Sequence, residues 1–186
     1  MRALKSSVFI TAALLLGHTG SAGAHPHVWI AMQTSVVFNE AGLVSGVAVE
    51  WTFDEAYAQL ALEGMDKNGD GTYGPEELEA LTRENLESLK DYGYFTFMTV
   101  DGKPQPIGAI RDAGQIYSND QLTLHFTVPL QTPADPRKQH FEVKVFDPEF
   151  YISFEYFADQ PTDHVGEVPA GCEVEIKPLP TTAELE

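Results

Sequence analysis

Alternating apolar residues between Val28 and Phe53 constrain the fold more than any other feature of the sequence. Apolar residues, mostly β-branched or aromatic, roughly alternate with other residues in two runs, and Asn39-Glu40-Ala41-Gly42 separates the runs. A period of two is typical of strands that bury one face, and Asn and Gly favour a tight turn. The pattern therefore predicts two long antiparallel strands joined by a short turn.

Helical spacing replaces this alternation after Phe53. Asp54 is a suitable cap for a helix that runs to Gly64, and Pro75 is a suitable first residue for a second helix that ends at Gly93. Leucines in the second segment form one apolar stripe. We therefore expect a helix-loop-helix insertion over residues 54–93.

Strand patterns return from Tyr94 onward. Asp101-Gly102 is a strong signal for a two-residue hairpin turn. Proline-bearing loops are expected at 129–136 and 160–169. Short strands are predicted around 94–100, 115–117, 122–128, 141–146, 151–157 and 173–176.

Many short strands with one inserted helical pair predict a mainly β (α+β) chain. The expected architecture is an antiparallel β-sandwich with an inserted helix-loop-helix. We expect one domain over residues 25–180 and a tail over residues 181–186.

The first 24 residues have the features of a secretory signal peptide. Arg2 and Lys5 provide a positive start, an apolar run over 8–16 follows, and Ala22-Gly23-Ala24 fits an A-x-A cleavage site. The run is too short to cross a hydrocarbon core of about 30 Å as a helix. We expect cleavage after Ala24 and a periplasmic location, with a retained membrane anchor as the alternative.

The chain is strongly acidic, with a formal charge of −17 that becomes −19 when cleavage removes Arg2 and Lys5. Such a charge repels phosphate backbones and argues against a nucleic-acid partner. Cys172 is the single cysteine, which excludes an internal disulfide and favours the role of a small apolar residue.

Residues 66–77 fit the twelve-residue pattern of an EF-hand calcium loop. Calcium takes six to eight oxygen ligands, and a tight loop must supply them without crowding. Gly71 at position six has no Cβ and permits the sharp bend. The predicted calcium ligands are Asp66, Asn68, Asp70, the backbone carbonyl of Thr72 and a bidentate Glu77.

Two positions of this EF-hand-like loop depart from the usual pattern. Tyr73 stands at position eight, which is normally aliphatic, and Pro75 at position ten can begin the exiting helix. The alternative is a turn rich in Asp, Asn and Gly that binds no ion. Because extracellular calcium modules bind at about 10⁻⁴–10⁻³ M, we interpret the expected site as structural rather than as a sensor.

Cleavage after Ala24 would make His25 the first residue of the mature chain. The α-amine and imidazole of His25 can chelate one metal, and His27 offers a second imidazole. These nitrogen ligands suit zinc, nickel, cobalt or copper. Pro26 lacks an amide hydrogen, which leaves a histidine brace or an ordinary imidazole site. The alternative is a tail whose histidines bind nothing.

Further ligands for that metal must come from elsewhere in the chain. His125 is predicted on the strand face opposite Leu122, Leu124 and Phe126, where it can face an open site. Four other residues have weaker claims as ligands: His140, His164, Asp147 and Glu155.

Four segments together resemble a bacterial family of domains of unknown function, whose members are described as periplasmic components of an uncharacterised ABC-type transport system. The segments are Ala24-His25-Pro26-His27-Val28-Trp29, Val49-Glu50-Trp51-Thr52-Phe53-Asp54-Glu55, the loop 66–77 and Phe146-Asp147-Pro148-Glu149-Phe150-Tyr151. Members are often encoded beside nickel/cobalt or zinc transporters, and the resemblance therefore implies a role in transition-metal handling.

The leading hypothesis is a non-enzymatic accessory protein that captures or delivers zinc, nickel, cobalt or copper for an inner-membrane transporter. In this hypothesis His25, His27 and His125 hold the transferable metal, and loop 66–77 holds structural calcium. One alternative is a histidine-brace copper oxidoreductase. The other is a calcium-stabilised interaction module without a transition metal.

Overall fold

A computed structural model describes residues 26–159 and 162–177, and His25, the cleavage site and the tail 181–186 lie outside them. The predicted pair of long strands is confirmed: β1 is Val28–Phe38 and β2 is Val44–Phe53. The side-chain oxygen of Asn39 closes their turn by accepting bonds from the N–H groups of Ala41 and Leu43, each at 3.0 Å.

The helical insertion is also present. Helix α1 is Glu55–Leu62 and begins at the predicted cap Asp54, and α2 is Pro75–Lys90 with proline in its first turn. A short 3-10 helix, Gly93–Phe95, follows where the sequence predicted the start of a strand.

The remaining strands differ from the prediction mainly in their bounds. Val100 pairs with Lys103 across the predicted Asp101-Gly102 turn, in which both residues have positive φ. The strands are β3 Thr96–Val100, β4 Lys103–Pro104, β5 Arg111–Ser118, β6 Gln121–Ala134, β7 Phe141–Val145, β8 Ile152–Tyr156 and β9 Thr162–Val165.

Three local predictions were wrong. The segment 129–136 is not a loop up to residue 134, because β6 continues through Pro129, which lies opposite Gly46 of β2. A Cβ on Gly46 would lie 2.8 Å from the Pro129 Cα, so the glycine permits this close approach. The segment 160–169 contains β9, and residues 173–176 form no strand.

The strands of the described residues form two sheets. The large sheet has the order β5-β6-β2-β1-β8, with β9 pairing further along β1, and the small sheet has the order β4-β3-β7. Both β8 and β9 run parallel to β1, so the prediction of a purely antiparallel arrangement was wrong. These parallel partners follow long connections, whose pairing local alternation cannot reveal.

One hydrophobic core joins the large sheet, the small sheet and both helices. Trp51 is 1% exposed at its centre, with its ring 5.0 Å from that of Phe126 and 5.1 Å from that of Phe154. The Phe95 ring, just before the small sheet, lies 5.7 Å from that of Phe154. The residues that alternate with these core residues lie on the opposite face of the large sheet and include Gln33, Glu50 and His125. Within the described part of the chain, no helix is long and apolar enough to cross a membrane.

Candidate metal centres

The loop between α1 and α2 bends at two glycines. Gly69 has φ +73° and Gly71 has φ +78°, a region that residues with a Cβ adopt only with strain. Gly71 stands at position six of the predicted calcium loop, where the sequence pattern requires the sharp bend. The backbone therefore turns where the sequence predicted.

The carboxylate of Asp66 lies on the inner side of this bend. Its Oδ1 accepts a hydrogen bond from the Gly69 N–H at 2.7 Å, and its Oδ2 accepts one from the Gly71 N–H at 3.0 Å. Asn68 Oδ1 accepts from the Asp70 N–H at 2.8 Å. The side chains at positions one and three thus organise the loop that follows them.

Asp70 is held by Thr72. Its Oδ1 accepts bonds from the Thr72 hydroxyl at 2.7 Å and from the Thr72 N–H at 2.8 Å. The side-chain bond from Thr72, followed by the backbone bond, lowers the pKa of Asp70 below its ordinary value. The two bonds from Thr72 therefore stabilise the anionic form of this carboxylate.

Glu77 ties the two ends of the loop together from the first turn of α2. Its Oε1 accepts from the Lys67 N–H at 2.9 Å, and its Oε2 accepts from the Gly74 N–H at 2.9 Å. The bond to Gly74, the cap residue of α2, is half of a capping box. Position twelve of the loop is thus fixed by the helix that the sequence predicted to carry it.

Tyr73 explains one departure from the usual EF-hand pattern. Its ring packs edge-on against Tyr117 of β5, with 5.0 Å between ring centroids. Position eight of the loop therefore contacts the large sheet, and the loop is anchored to the sheet rather than left free at the surface.

The donor set of this loop fits a hard cation. The predicted ligand groups of Asp66, Asn68, Asp70, Thr72 and Glu77 all present oxygen, which suits calcium. Each carboxylate oxygen of Asp66 and Glu77 accepts one N–H and keeps a second lone pair for an ion, whereas Asp70 Oδ1 already accepts two bonds from Thr72. Among residues 26–159 and 162–177, no three His, Cys, Asp or Glu side chains converge closely enough to hold a metal ion. Calcium binding would therefore require these side chains to turn further inward.

The amino-terminal segment is hydrogen-bonded to Tyr151 on one side and to Asp54 on the other. The His27 N–H donates to the Tyr151 carbonyl at 2.8 Å, and the His27 ring lies 4.6 Å from the Tyr151 ring. Two residues later, the Trp29 N–H donates to Asp54 Oδ2 at 2.9 Å. The exposed imidazole of His27 is thus attached to a fixed backbone, while His25 lies outside the described residues.

Asp147 builds the turn that presents Tyr151. Its carboxylate is 6% exposed and accepts three backbone N–H bonds, from Glu149 at 2.9 Å, Tyr151 at 2.9 Å and Ile152 at 3.0 Å. Sequence reasoning considered Asp147 only as a weak metal ligand and missed this role. The dipeptide Asp147-Pro148 was the available signal, because Asp before Pro favours such a turn.

His125 occupies the face that the sequence predicted. It is half-buried on β6, whereas its neighbours Leu124 and Phe126 are buried in the core. Across the sheet it is paired with Glu50 of β2 and with Gly114 of β5.

The strand register separates His125 from His27. Glu50, the β2 partner of His125, is itself paired with Gln33 of β1, which is six residues beyond His27. With a rise of about 3.3 Å per residue and about 4.8 Å between strands, the two histidines are roughly 20 Å apart along β1 and two strands apart across the sheet. His125 therefore cannot share an ion with His27, because ligand bonds to nitrogen are only about 2 Å long.

The other candidate ligands are dispersed. The His140 N–H donates to Asp101 Oδ1 at 2.9 Å, and His164 lies beside Asp163, with 3.6 Å between Nδ1 and Oδ1. Glu155 is exposed on β8, and Cys172 is half-buried after β9.

Comparison with known proteins finds a relative and a family model that match this chain. An uncharacterised protein of Haemophilus influenzae is 26% identical over 161 residues, which cover 82% of this chain and 74% of the relative. No solved structure matches the chain. A family model described as a protein of unknown function, DUF1007, matches residues 10–186. The chain therefore belongs to the DUF1007 family.

Proposed function

We propose that this chain is a secreted, calcium-stabilised protein that captures or delivers a divalent transition metal for a membrane transporter. The observation that carries the calcium part of the proposal is the conformation of the loop 66–77. Its acidic side chains follow the EF-hand order and bind the loop backbone, with Gly71 at positive φ in position six. Together with the single core shared by two sheets, this supports a β-sandwich with an EF-hand-like insert.

The transition-metal part of the proposal is supported by the fixed amino-terminal segment. The Tyr151 carbonyl and the Asp54 carboxylate hold the backbone on both sides of Val28. Cleavage after Ala24 would place the α-amine of His25 two residues before the anchored His27. Amine and imidazole nitrogens suit zinc, nickel, cobalt or copper, whereas the oxygens of loop 66–77 suit calcium. The two sites would therefore select different ions.

A periplasmic location and a transporter partner are supported by the signal-peptide features and by the family resemblance. An acidic surface also raises the local concentration of cations. The protein would serve as a carrier or store, with no catalytic residue assigned.

A test compares the mature chain beginning at His25 with a version that carries one extra Met before His25. Both are equilibrated with calcium and with one transition metal at a time, and bound metals are measured by elemental analysis and calorimetry. We expect one calcium per chain in both proteins. A tight transition-metal site is expected only with the authentic terminus, because the extra residue separates the α-amine from the His25 ring.

The outcomes separate the hypotheses. Equal transition-metal affinity in both proteins would exclude the α-amine as a ligand, and absence of calcium binding would exclude the loop. Copper binding with reductant-driven oxidation of a polysaccharide would instead favour an oxidoreductase. Mass spectrometry of the secreted protein checks that its first residue is His25.

An interaction module is the second candidate, and exposed aromatic side chains favour it. Trp29 is 50% exposed, Tyr151 is 49% exposed and Phe150 is 76% exposed, all near the amino-terminal segment. Exposed apolar surface of this kind marks contact sites for partners. Calcium binding without any transition-metal binding in the elemental analysis would favour this function.

A further inference from the structure

Asp54 connects the helical insert to the amino-terminal segment through the two oxygens of one carboxylate. Its Oδ1 accepts from the Tyr57 N–H at 3.0 Å and caps α1. Its Oδ2 accepts from the Trp29 N–H at 2.9 Å, and the Asp54 N–H donates to the Trp29 carbonyl at 3.0 Å. One side chain therefore holds the start of α1 and the strand residue that follows the anchored His27 segment.

Helix α1 buries Ala58 and Leu62 in the core and depends in addition on the groups at its two ends. It has eight residues, and helices of this length are marginal without capping or packing. At its carboxyl end the chain turns directly toward the loop, with the Met65 N–H donating to the Leu62 carbonyl at 3.0 Å. An ion that rigidifies residues 66–77 would therefore also stabilise α1, and with it the position of Asp54.

We propose that Asp54 is a positioning residue that couples calcium binding in loop 66–77 to the order of residues 26–29. The inference rests on the calcium loop proposed above. Calcium stabilises α1, the capped helix fixes the Asp54 carboxylate, and its second oxygen fixes Trp29. Linkage requires the converse as well: a ligand that orders residues 26–29 raises calcium affinity by the same factor.

The substitution Asp54→Asn tests the connection that the Asp54 carboxylate makes between the Tyr57 and Trp29 N–H groups. Asn has nearly the same shape and is among the best helix caps, so its amide oxygen can still accept the Tyr57 N–H. Its amide nitrogen then faces the Trp29 N–H, and two donors cannot form a hydrogen bond. If the amide rotates, the cap is lost instead. Either orientation breaks the connection between the two N–H groups.

Asp101→Asn is the matched control. Asp101 also accepts a backbone N–H, that of His140 at 2.9 Å, but it lies in the β3–β4 turn outside the proposed path. The substitution makes the same change in charge and chemistry. Asp54→Ser is a second test variant, because its single oxygen can cap α1 but cannot serve Trp29 at the same time.

The experiment measures hydrogen exchange of the Trp29 amide in the mature chain, with and without saturating calcium. Calorimetry records calcium binding in parallel, and circular dichroism confirms folding of each variant. In the wild type and Asp101→Asn, calcium should slow Trp29 exchange by about fivefold or more. In Asp54→Asn and Asp54→Ser, calcium should still bind, but exchange should change by less than about twofold.

Each contrary result has a distinct meaning. Absence of calcium binding by the wild type would overturn the calcium loop and the coupling with it. Calcium binding that leaves wild-type Trp29 exchange unchanged would overturn the coupling alone. Equal slowing in wild type and Asp54→Asn would show that other contacts carry the coupling, and would overturn the role of Asp54.

Discussion

The imidazole of His125 on β6 packs against the backbone of Gly114 on the neighbouring strand β5. A Cβ at residue 114 would lie 2.8 Å from the ring Cε1 and 3.0 Å from Nε2. Non-bonded carbon atoms essentially never approach this closely, so a side chain at residue 114 would displace the ring. Gly114 therefore provides the space that the half-buried histidine occupies.

Gly114→Ala should destabilise the protein by about 1 kcal/mol, at the lower end of the cost of overpacking, because the half-buried His125 ring can turn aside in part. The φ of Gly114 is not in the positive region, so the cost comes from the ring rather than from the backbone. Denaturant unfolding measures the change in free energy. Gly108→Ala is the control, because its nearest contact would be an ordinary 3.4 Å to the Pro129 Cγ.

The same cost should disappear when the ring is removed. In a His125→Ala background, Gly114→Ala should be nearly neutral. The interaction free energy between residues 114 and 125 from the double-mutant cycle should therefore account for most of the destabilisation by Gly114→Ala alone. A full cost in both backgrounds would show that the strain does not come from His125.

His27 and His125 should respond differently to substitution, because the register places them roughly 20 Å apart along the sheet. We expect His27→Ala to weaken zinc or copper binding by about tenfold or more, since one ligand of the amino-terminal site is lost. His125→Ala should leave that affinity unchanged. Calorimetry on mature chains that begin at His25 makes the comparison, and a loss of affinity in His125→Ala would contradict the register argument.

Glu77→Gln should lower calcium affinity by about tenfold or more, because a bidentate anionic ligand becomes neutral. The amide also keeps only one acceptor for the N–H groups of Lys67 and Gly74, so the loop loses a backbone bond. Calcium in 100-fold excess over the wild-type Kd should stabilise the wild type by about 2.7 kcal/mol, and at the same calcium concentration a tenfold weaker Glu77→Gln should lose about half of this gain.

Glu76→Gln is the matched control for this prediction. Glu76 is exposed in the same helical turn and carries the same charge, but it occupies position eleven of the loop and is not a predicted ligand. Thermal unfolding with and without calcium compares the three proteins. An equal calcium response in Glu77→Gln and the wild type would exclude the loop assignment.

Local signals in the sequence predicted the elements that depend on local chemistry. The alternation from Val28 to Phe53, the cap at Asp54, Pro75 at the start of α2 and the Asp101-Gly102 turn all correspond to the structure. Each feature is determined by residues a few positions apart, so a single sequence contains the information.

Long-range relationships were beyond such reasoning. The parallel pairing of β8 and β9 with β1 joins residues more than 120 positions apart, as in the bond from the Thr162 hydroxyl to the Thr34 carbonyl, which spans 128 positions. The separation of His27 from His125 follows from register across β1, β2 and β6, which no local pattern specifies. Asp147 differs from these cases, because its bonds to residues 149, 151 and 152 are local and the dipeptide Asp147-Pro148 was an available signal for the turn.

Thr72→Val should raise the pKa of Asp70, because it removes the hydroxyl bond that most lowers this pKa while the Thr72 N–H bond remains. Val has nearly the same shape as Thr, and the backbone carbonyl predicted to bind calcium is retained. A carboxyl whose folded pKa lies below its unfolded value adds stability that is fully present above the unfolded pKa and is lost as pH falls through the folded pKa. In Thr72→Val this contribution should be smaller, and calcium should dissociate at a higher pH than in the wild type.

Carboxyl carbon NMR titration of the calcium-free protein measures the change directly. Asp135 serves as an internal reference, because its side-chain bond with Arg137 lowers its pKa to about 2 independently of Thr72. We expect the Asp70 titration to move upward toward its ordinary value of 3.8 while that of Asp135 stays in place. A joint shift of both groups would indicate a general change in fold, and an unmoved Asp70 would show that the Thr72 hydroxyl does not stabilise its anion.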